Sequence, residues 1–185
     1  MVLDPSCGSG GFLIYILRKV ALQIRMQQQN LHQPQTEMII KRFIDEKILG
    51  TDLSPRMVRA ARMNMIMHGD GWSGIQRCHG LKIHKDDYYK NYAGKFTLIL
   101  SNPPFAGYET DENILMDNFV VGKNENGNLR GVNKAIIFVE QIINLLAEGG
   151  RAGIVLPRSI FENDINKPFS SFKTQSKYRL FSYDT

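Results

Sequence analysis

Apolar and polar positions along this chain follow two alternating periods. Phe12, Leu13, Ile16, Leu17, Val20 and Ile24 recur three or four residues apart, while Arg18, Lys19, Gln23 and Arg25 fill the other side. That spacing predicts an amphipathic helix of about four turns. Ser54-Pro55 reads as an N-cap with proline in the first turn, and Met57, Ala60, Ala61, Asn64 and Met65 carry a second helix to Gly69. A third runs from Lys134 to Ala147, with Ile137, Phe138, Ile142, Leu145 and Leu146 on its core face and Gly149-Gly150 at its C-cap. Between the helices lie short apolar runs: Met1-Val2-Leu3, Lys47 to Asp52, Ile75 to Cys78, Phe96 to Ser101 and Gly153 to Pro157. Phe96 to Ser101 is apolar on both faces, as a buried parallel strand is. Gln27 to Glu37 reads as a surface loop, and Tyr178 to Tyr183 alternates like a further strand. Helices and strands in alternation predict βαβ units, right-handed crossovers and an α/β fold around a mostly parallel, doubly wound sheet.

Ala106 to Asn133 shows no period and is rich in Gly and Asn. An excursion of that length is expected to be a mobile, functional loop. The chain also opens abruptly, since three apolar residues are short for a central strand. We therefore expect one catalytic domain over residues 1–185, truncated at both ends.

Composition narrows the class. With 185 residues, 43% apolar, 22% charged and a net charge of +5, the chain is ordinary globular material, not disordered, collagen-like or fibrous. No apolar run approaches the roughly 18 residues of a bilayer span. Two cysteines, Cys7 and Cys78, make no disulfide framework, and with no secretory leader the cytoplasm is the expected location. His32, His68, His79 and His84 show no metal-ligand spacing with the cysteines, so no metal is expected. The mild basic excess permits an anionic partner without requiring one. Lys123, Arg130, Lys134 and Arg158 fit phosphate contacts or a solvated face equally well.

In a doubly wound sheet ligands bind beyond the carboxyl ends of the strands, where Asp4 to Gly11, Asp52 and Asn102 to Phe105 all fall. A dinucleotide fingerprint would need glycine where Leu13 stands and an acidic residue about 20 positions on; Asp52 is 44 beyond Gly8. A phosphate loop would need Gly-Lys-Ser/Thr. What fits is a small ligand with an amine for Asp4 and ribose hydroxyls for Asp52, as S-adenosylmethionine has. Each feature has a plainer alternative: a tight strand-to-helix turn at the glycines, a helix N-terminal charge at Asp52, a bare turn at the prolines. Asn102-Pro103-Pro104-Phe105 argues hardest for a site. Two prolines fix the backbone, the Asn102 side-chain oxygen and Pro103 carbonyl can accept from a planar exocyclic amine, and Phe105 can stack on its ring.

Asp4-Pro5-Ser6-Cys7-Gly8-Ser9-Gly10-Gly11-Phe12-Leu13 together with Ser101-Asn102-Pro103-Pro104-Phe105 resembles the N6-adenine DNA methyltransferases. The chain is most similar to the modification subunits of type I restriction systems, which also carry a segment like Phe138-Val139-Glu140 through Leu145-Leu146-Ala147-Glu148-Gly149-Gly150-Arg151-Ala152-Gly153-Ile154-Val155-Leu156-Pro157. The resemblance implies a Rossmann-like S-adenosylmethionine-dependent methyltransferase fold. It implies that Ser9, Gly10 and Gly11 with Asp4 line the methionine end of the cofactor, that Pro5, Cys7, Gly8 and Phe12 belong to the same cofactor site, that Asp52 holds its ribose and that Leu53 packs on its adenine. Asn102, Pro103, Pro104 and Phe105 become the motif that receives a flipped adenine, with double-stranded DNA as substrate and specificity and restriction subunits as partners. The Asp that many members carry after the third strand is replaced by Cys78-His79-Gly80-Leu81, to which no cofactor role is given. Two alternatives stay open: methylation of RNA guanine or a protein glutamine through the same loop, and a non-catalytic remnant that binds cofactor or a partner chain.

Overall fold

A computed structural model describes residues 1–28, 32–69, 74–116, 119–123, 128–129 and 131–162. Five parallel strands make the central sheet: β1 (Val2–Asp4), β2 (Ile48–Asp52), β3 (Ile75–Arg77), β4 (Phe96–Ser101) and β7 (Leu146–Ile154). Their order is β3-β2-β1-β4-β7. The chain winds outward from β1 to β3, then returns to place β4 on the other side of β1. The switch point therefore lies between the carboxyl ends of β1 and β4.

Alternation along the strands divides the core in two. Val2 and Ile48 face α1 (Gly11–Gln27), α2 (Gln33–Lys47) and α3 (Pro55–Met67), packing with Leu13, Ile16, Leu17, Ile40, Ile44, Val58, Ala61 and Met65. Leu3 and Leu49 face the opposite layer, with Ile83, Tyr89, Ile142 and Leu145. That layer contains α5 (Lys134–Leu145) and two 3₁₀ turns, Gly80–Lys85 and Lys90–Tyr92. The buried Tyr89 hydroxyl donates to the Gly50 carbonyl at 2.6 Å, tying the layer to the middle of β2.

The structure corrects three expectations. Gln33 to Glu37, assigned to a loop, opens α2, with Pro34 in its first turn and Thr36, Ile40 and Ile44 buried at four-residue spacing. Met38 and Ile39 are apolar but exposed, which blurs that narrow stripe and hid the helix. The helix α5 ends at Leu145, not Ala147, and Leu146 already has extended backbone. The last strand accordingly begins at Leu146, not Gly153, and its register jumps from Phe96↔Leu146 to Leu98↔Arg151. Gly149, expected to cap the helix, takes φ 72° in the bulge this jump creates. Continuous apolar residues across Leu145-Leu146 conceal the change of period.

The excursion after Asn102–Phe105 contains β5 (Tyr108–Glu109) paired antiparallel with β6 (Val132–Asn133), and a single turn, α4 (Glu112–Leu115). Ile114, Leu115, Phe119 and Val121 are buried against α5. A last short helix, α6 (Ser159–Glu162), follows β7. The strand expected at Tyr178 to Tyr183 lies outside the described residues. No helix among the described residues is long and apolar enough to cross a membrane.

Candidate active site

Three loops converge at the switch point. The first leaves β1 at Asp4 and reaches α1 through two left-handed glycines, Gly8 at φ 54° and Gly10 at φ 87°. L-side chains pay roughly 1–2 kcal/mol in that region, which accounts for both glycines. The loop is stitched to β2: the Cys7 amide donates to the Thr51 carbonyl at 2.9 Å and the Gly8 amide to Asp52 Oδ2 at 3.1 Å. Asn64 of α3 donates to the Ser9 carbonyl at 2.9 Å. A Cβ added at Gly8 or Gly11 would meet nothing within 4 Å, so the loop surface is open at both positions.

The second loop follows β2. Asp52 is half-buried; its second oxygen accepts from the Ser54 amide at 2.8 Å, and Ser54 caps α3. Leu53 stands 55% exposed beside it, an apolar side chain at a strand end. Beyond β3, the Cys78 amide donates to the Asp52 carbonyl at 3.3 Å, and His79 Nδ1 accepts from the Leu81 amide at 3.3 Å. His79 thus caps a 3₁₀ turn, and burial lowers its pKa. A Cβ at Gly80 would collide with the Pro5 carbonyl oxygen and stand 2.8 Å from the Phe138 ring. That close approach packs the first loop onto α5.

The third loop is Asn102 to Phe105. Pro103 is buried while Asn102, Pro104 and Phe105 are exposed, so a rigid base presents an amide and a ring to solvent. The Ser101 hydroxyl lies 2.7 Å from that of Ser6, which fastens this loop to the glycine loop. Ser6 and Ser101 stand inside the two quoted motifs, yet nothing in the sequence assigned a role to either.

Asp4, Pro5 and Cys7 lie beneath the glycine loop, and Phe12 is half-buried. Asp4 is 2% exposed and accepts from the Ser6 amide at 3.1 Å. Burial pushes its carboxyl up to about 7, opposed by the Ser6 amide and Ser101 hydroxyl and assisted by Asp52. Among the described residues no cation pairs with it. Burial also raises the Cys7 thiol, with Asp4 and Asp52 adding to it, so Cys7 packs as a neutral side chain. Of the basic candidates, the Lys134 amide donates to the Gly107 carbonyl at 3.2 Å, Lys123 bridges to Leu129, and Arg130 lies outside the described residues.

An open glycine loop, a buried carboxylate with no cation beside it among the described residues, a carboxylate at the end of β2 and an exposed leucine beside it suit a ligand with an ammonium group, a ribose and a flat ring. The neighbouring Asn102–Phe105 loop suits a planar amine.

Comparison with known proteins agrees. A family model described as N-6 DNA Methylase matches residues 1–168. The chain is 27% identical over 156 residues to the type I restriction enzyme EcoEI methylase subunit of Escherichia coli, covering 84% of this chain and 28% of the relative. It is 29% identical over 165 residues to the EcoKI methylase subunit of Escherichia coli (strain K12), covering 86% and 27%. The crystal structure of the EcoKI M protein superposes with TM-score 0.62 at 27% identity, over 86% of this chain and 30% of that one. The methyltransferase subunit of a type I restriction-modification system from Streptococcus thermophilus shares the fold, with TM-score 0.59 at 23% identity over 86% and 29%. The chain therefore spans under a third of the length of these relatives. The doubly wound parallel sheet expected from the sequence is the fold found in these methyltransferases. With its family model matched over most of its length, the chain belongs to the N-6 DNA methylase family.

Proposed function

We propose that this chain carries the methyl-transfer core of a DNA adenine-N6 methyltransferase of a restriction-modification system, using S-adenosylmethionine. The observation that supports it most is the Ser6–Ser101 contact of 2.7 Å, which sets the glycine loop and the Asn102–Phe105 loop side by side at the switch point.

Gly8, Ser9, Gly10 and Gly11 would form the floor for the methionine end, with Asp4 compensating its ammonium from below. Asp52 would hold the ribose and Leu53 would cover one face of the adenine. When bound, S-adenosylmethionine supplies an electrophilic methyl group on a sulfonium that leaves neutral. The chain's own residues then need only to position and polarise. The Asn102 side-chain oxygen and Pro103 carbonyl accept the two hydrogens of the target amine, aligning its lone pair and favouring the positive charge that develops as it attacks. Phe105 offsets part of the few kcal/mol spent in flipping the base from the duplex.

Asn102→Ala tests this reading. Labelled-methyl transfer into duplex DNA should fall at least a hundredfold, with S-adenosylmethionine affinity unchanged within about twofold. Near-normal transfer by the variant would remove Asn102 from the chemistry. Label that resists nuclease and yields to protease would move the substrate to protein, label in RNA alone would move it to RNA, and cofactor binding without transfer to any of the three would make the chain a binding remnant.

A further inference from the structure

The helix α5 is buried along every residue from Ala135 to Ile142, polar Glu140 and Gln141 included. Ile142 and Leu145 pack on the sheet, while Ile114, Leu115, Phe119 and Val121 cover another side. Within this apolar layer Glu140 is 2% exposed. Its two carboxylate oxygens accept from consecutive backbone amides, Val120 at 2.6 Å and Val121 at 3.0 Å. No cation pairs with it among the described residues. Burial raises its pKa and the two amides oppose that rise. A buried carboxylate is costly unless its hydrogen bonds secure something in return. What these bonds secure is the path of residues 119–121.

That path leads back to the base-receiving loop. Directly after Phe105, the Gly107 carbonyl accepts from the Lys134 amide at 3.2 Å, and Tyr108–Glu109 pairs with Val132–Asn133 at the start of α5. The Glu109 carboxylate accepts from the Thr110 and Asp111 amides, Asp111 caps α4, and Ile114 and Leu115 pack on α5. The excursion is thus hydrogen-bonded to α5 at Lys134, the helix's first residue, and again at Glu140, about 9 Å farther along the helix, with Ile114 and Leu115 packed on it between. Without the bonds to Glu140 only the hairpin and that packing would hold the segment.

We infer that Glu140 is a positioning residue: by holding residues 119–121 on α5 it fixes the segment that follows Phe105, and so the wall of the site that receives the target base. The catalytic consequence rests on the function proposed above, whereas the mechanical claim stands on the geometry alone.

The test uses the 185-residue chain, with Glu140→Gln, which keeps the shape and one acceptor, and Glu140→Leu, which keeps none. Amide exchange by mass spectrometry should quicken at least tenfold across 107–121 in Glu140→Gln, and more in Glu140→Leu, with α1, α2 and α3 unchanged. In a Trp72→Phe, Phe105→Trp background the indole reports on the base-receiving loop. Adding Glu140→Gln should lower its emission anisotropy while leaving the affinity for S-adenosylmethionine within twofold. If Glu140→Leu fails to fold, Glu140→Gln decides alone. Faster exchange confined to 119–121, a rise spread evenly through the sheet, or unchanged anisotropy would each overturn the inference. Failure of the parent chain to bind S-adenosylmethionine would strike the proposed function instead, and leave the exchange and anisotropy results to be judged separately.

Discussion

Replacing Asp4 with Asn should stabilise this protein above neutral pH. The Asp4 carboxyl is 2% exposed, and burial lifts it from 3.8 to about 7. Because the folded chain holds this proton more tightly than the unfolded chain, the associated stability is full below pH 3.8 and is lost as pH rises through 7. A shift of roughly three units at about 1.4 kcal/mol each puts the whole loss near 4 kcal/mol, an upper figure because water entry and relaxation reduce it. Asn has no charge to bury, keeps an oxygen for the Ser6 amide and offers a donor to the Ser101 hydroxyl. Urea unfolding followed by far-ultraviolet circular dichroism, at pH 5 and pH 8, measures the effect. The advantage of Asp4→Asn over the parent should grow by about 2–3 kcal/mol between those values, the share of the titration that falls between them. Parallel pH profiles for the two proteins would show that Asp4 does not bear a buried charge, and would refute the reasoning.

Two further predictions follow from the same loops. A ligand ammonium beside Asp4 favours its ionised form, so S-adenosylmethionine affinity should rise with pH toward 7, with about half a proton released per site at that pH; calorimetry in two buffers of different ionisation enthalpy measures it. Gly80→Ala drives a Cβ into the Pro5 carbonyl and the Phe138 ring. It should lower the thermal midpoint by an amount equivalent to about 3 kcal/mol, and a midpoint unchanged on scanning calorimetry would deny the close approach.

The ends of the strands were legible in the sequence because unusual local demands leave unusual residues. Left-handed backbone at Gly8 and Gly10, the Ser54 cap before Pro55 and the fixed turn at Pro103-Pro104 all mark themselves. The helix α2 did not, since the three residues it buries are diluted by Gln, Lys, Arg and Glu on its wide exposed side. Glu140 was hidden for the opposite reason: α5 is apolar around most of its circumference, so periodicity showed a core face and gave no sign of a second covering layer. The burial of Asp4 beneath its own loop, and the Ser6–Ser101 contact, depend on β1 and β4 being neighbours. That adjacency belongs to the topology and is absent from either motif alone.

In the proposed function S-adenosylmethionine lies over the glycine loop. Gly11 begins α1, its backbone is compatible with any L-residue, and a Cβ there meets nothing within 4 Å. Gly11→Val therefore places a branched side chain over the glycine loop without straining the fold. Calorimetric titration of the parent chain and of Gly11→Val with S-adenosylmethionine is the most direct measurement. Saturable one-to-one binding by the parent is expected, with its loss in the variant at an unchanged thermal midpoint. Equal binding by both, or none by a folded parent chain, would contradict it.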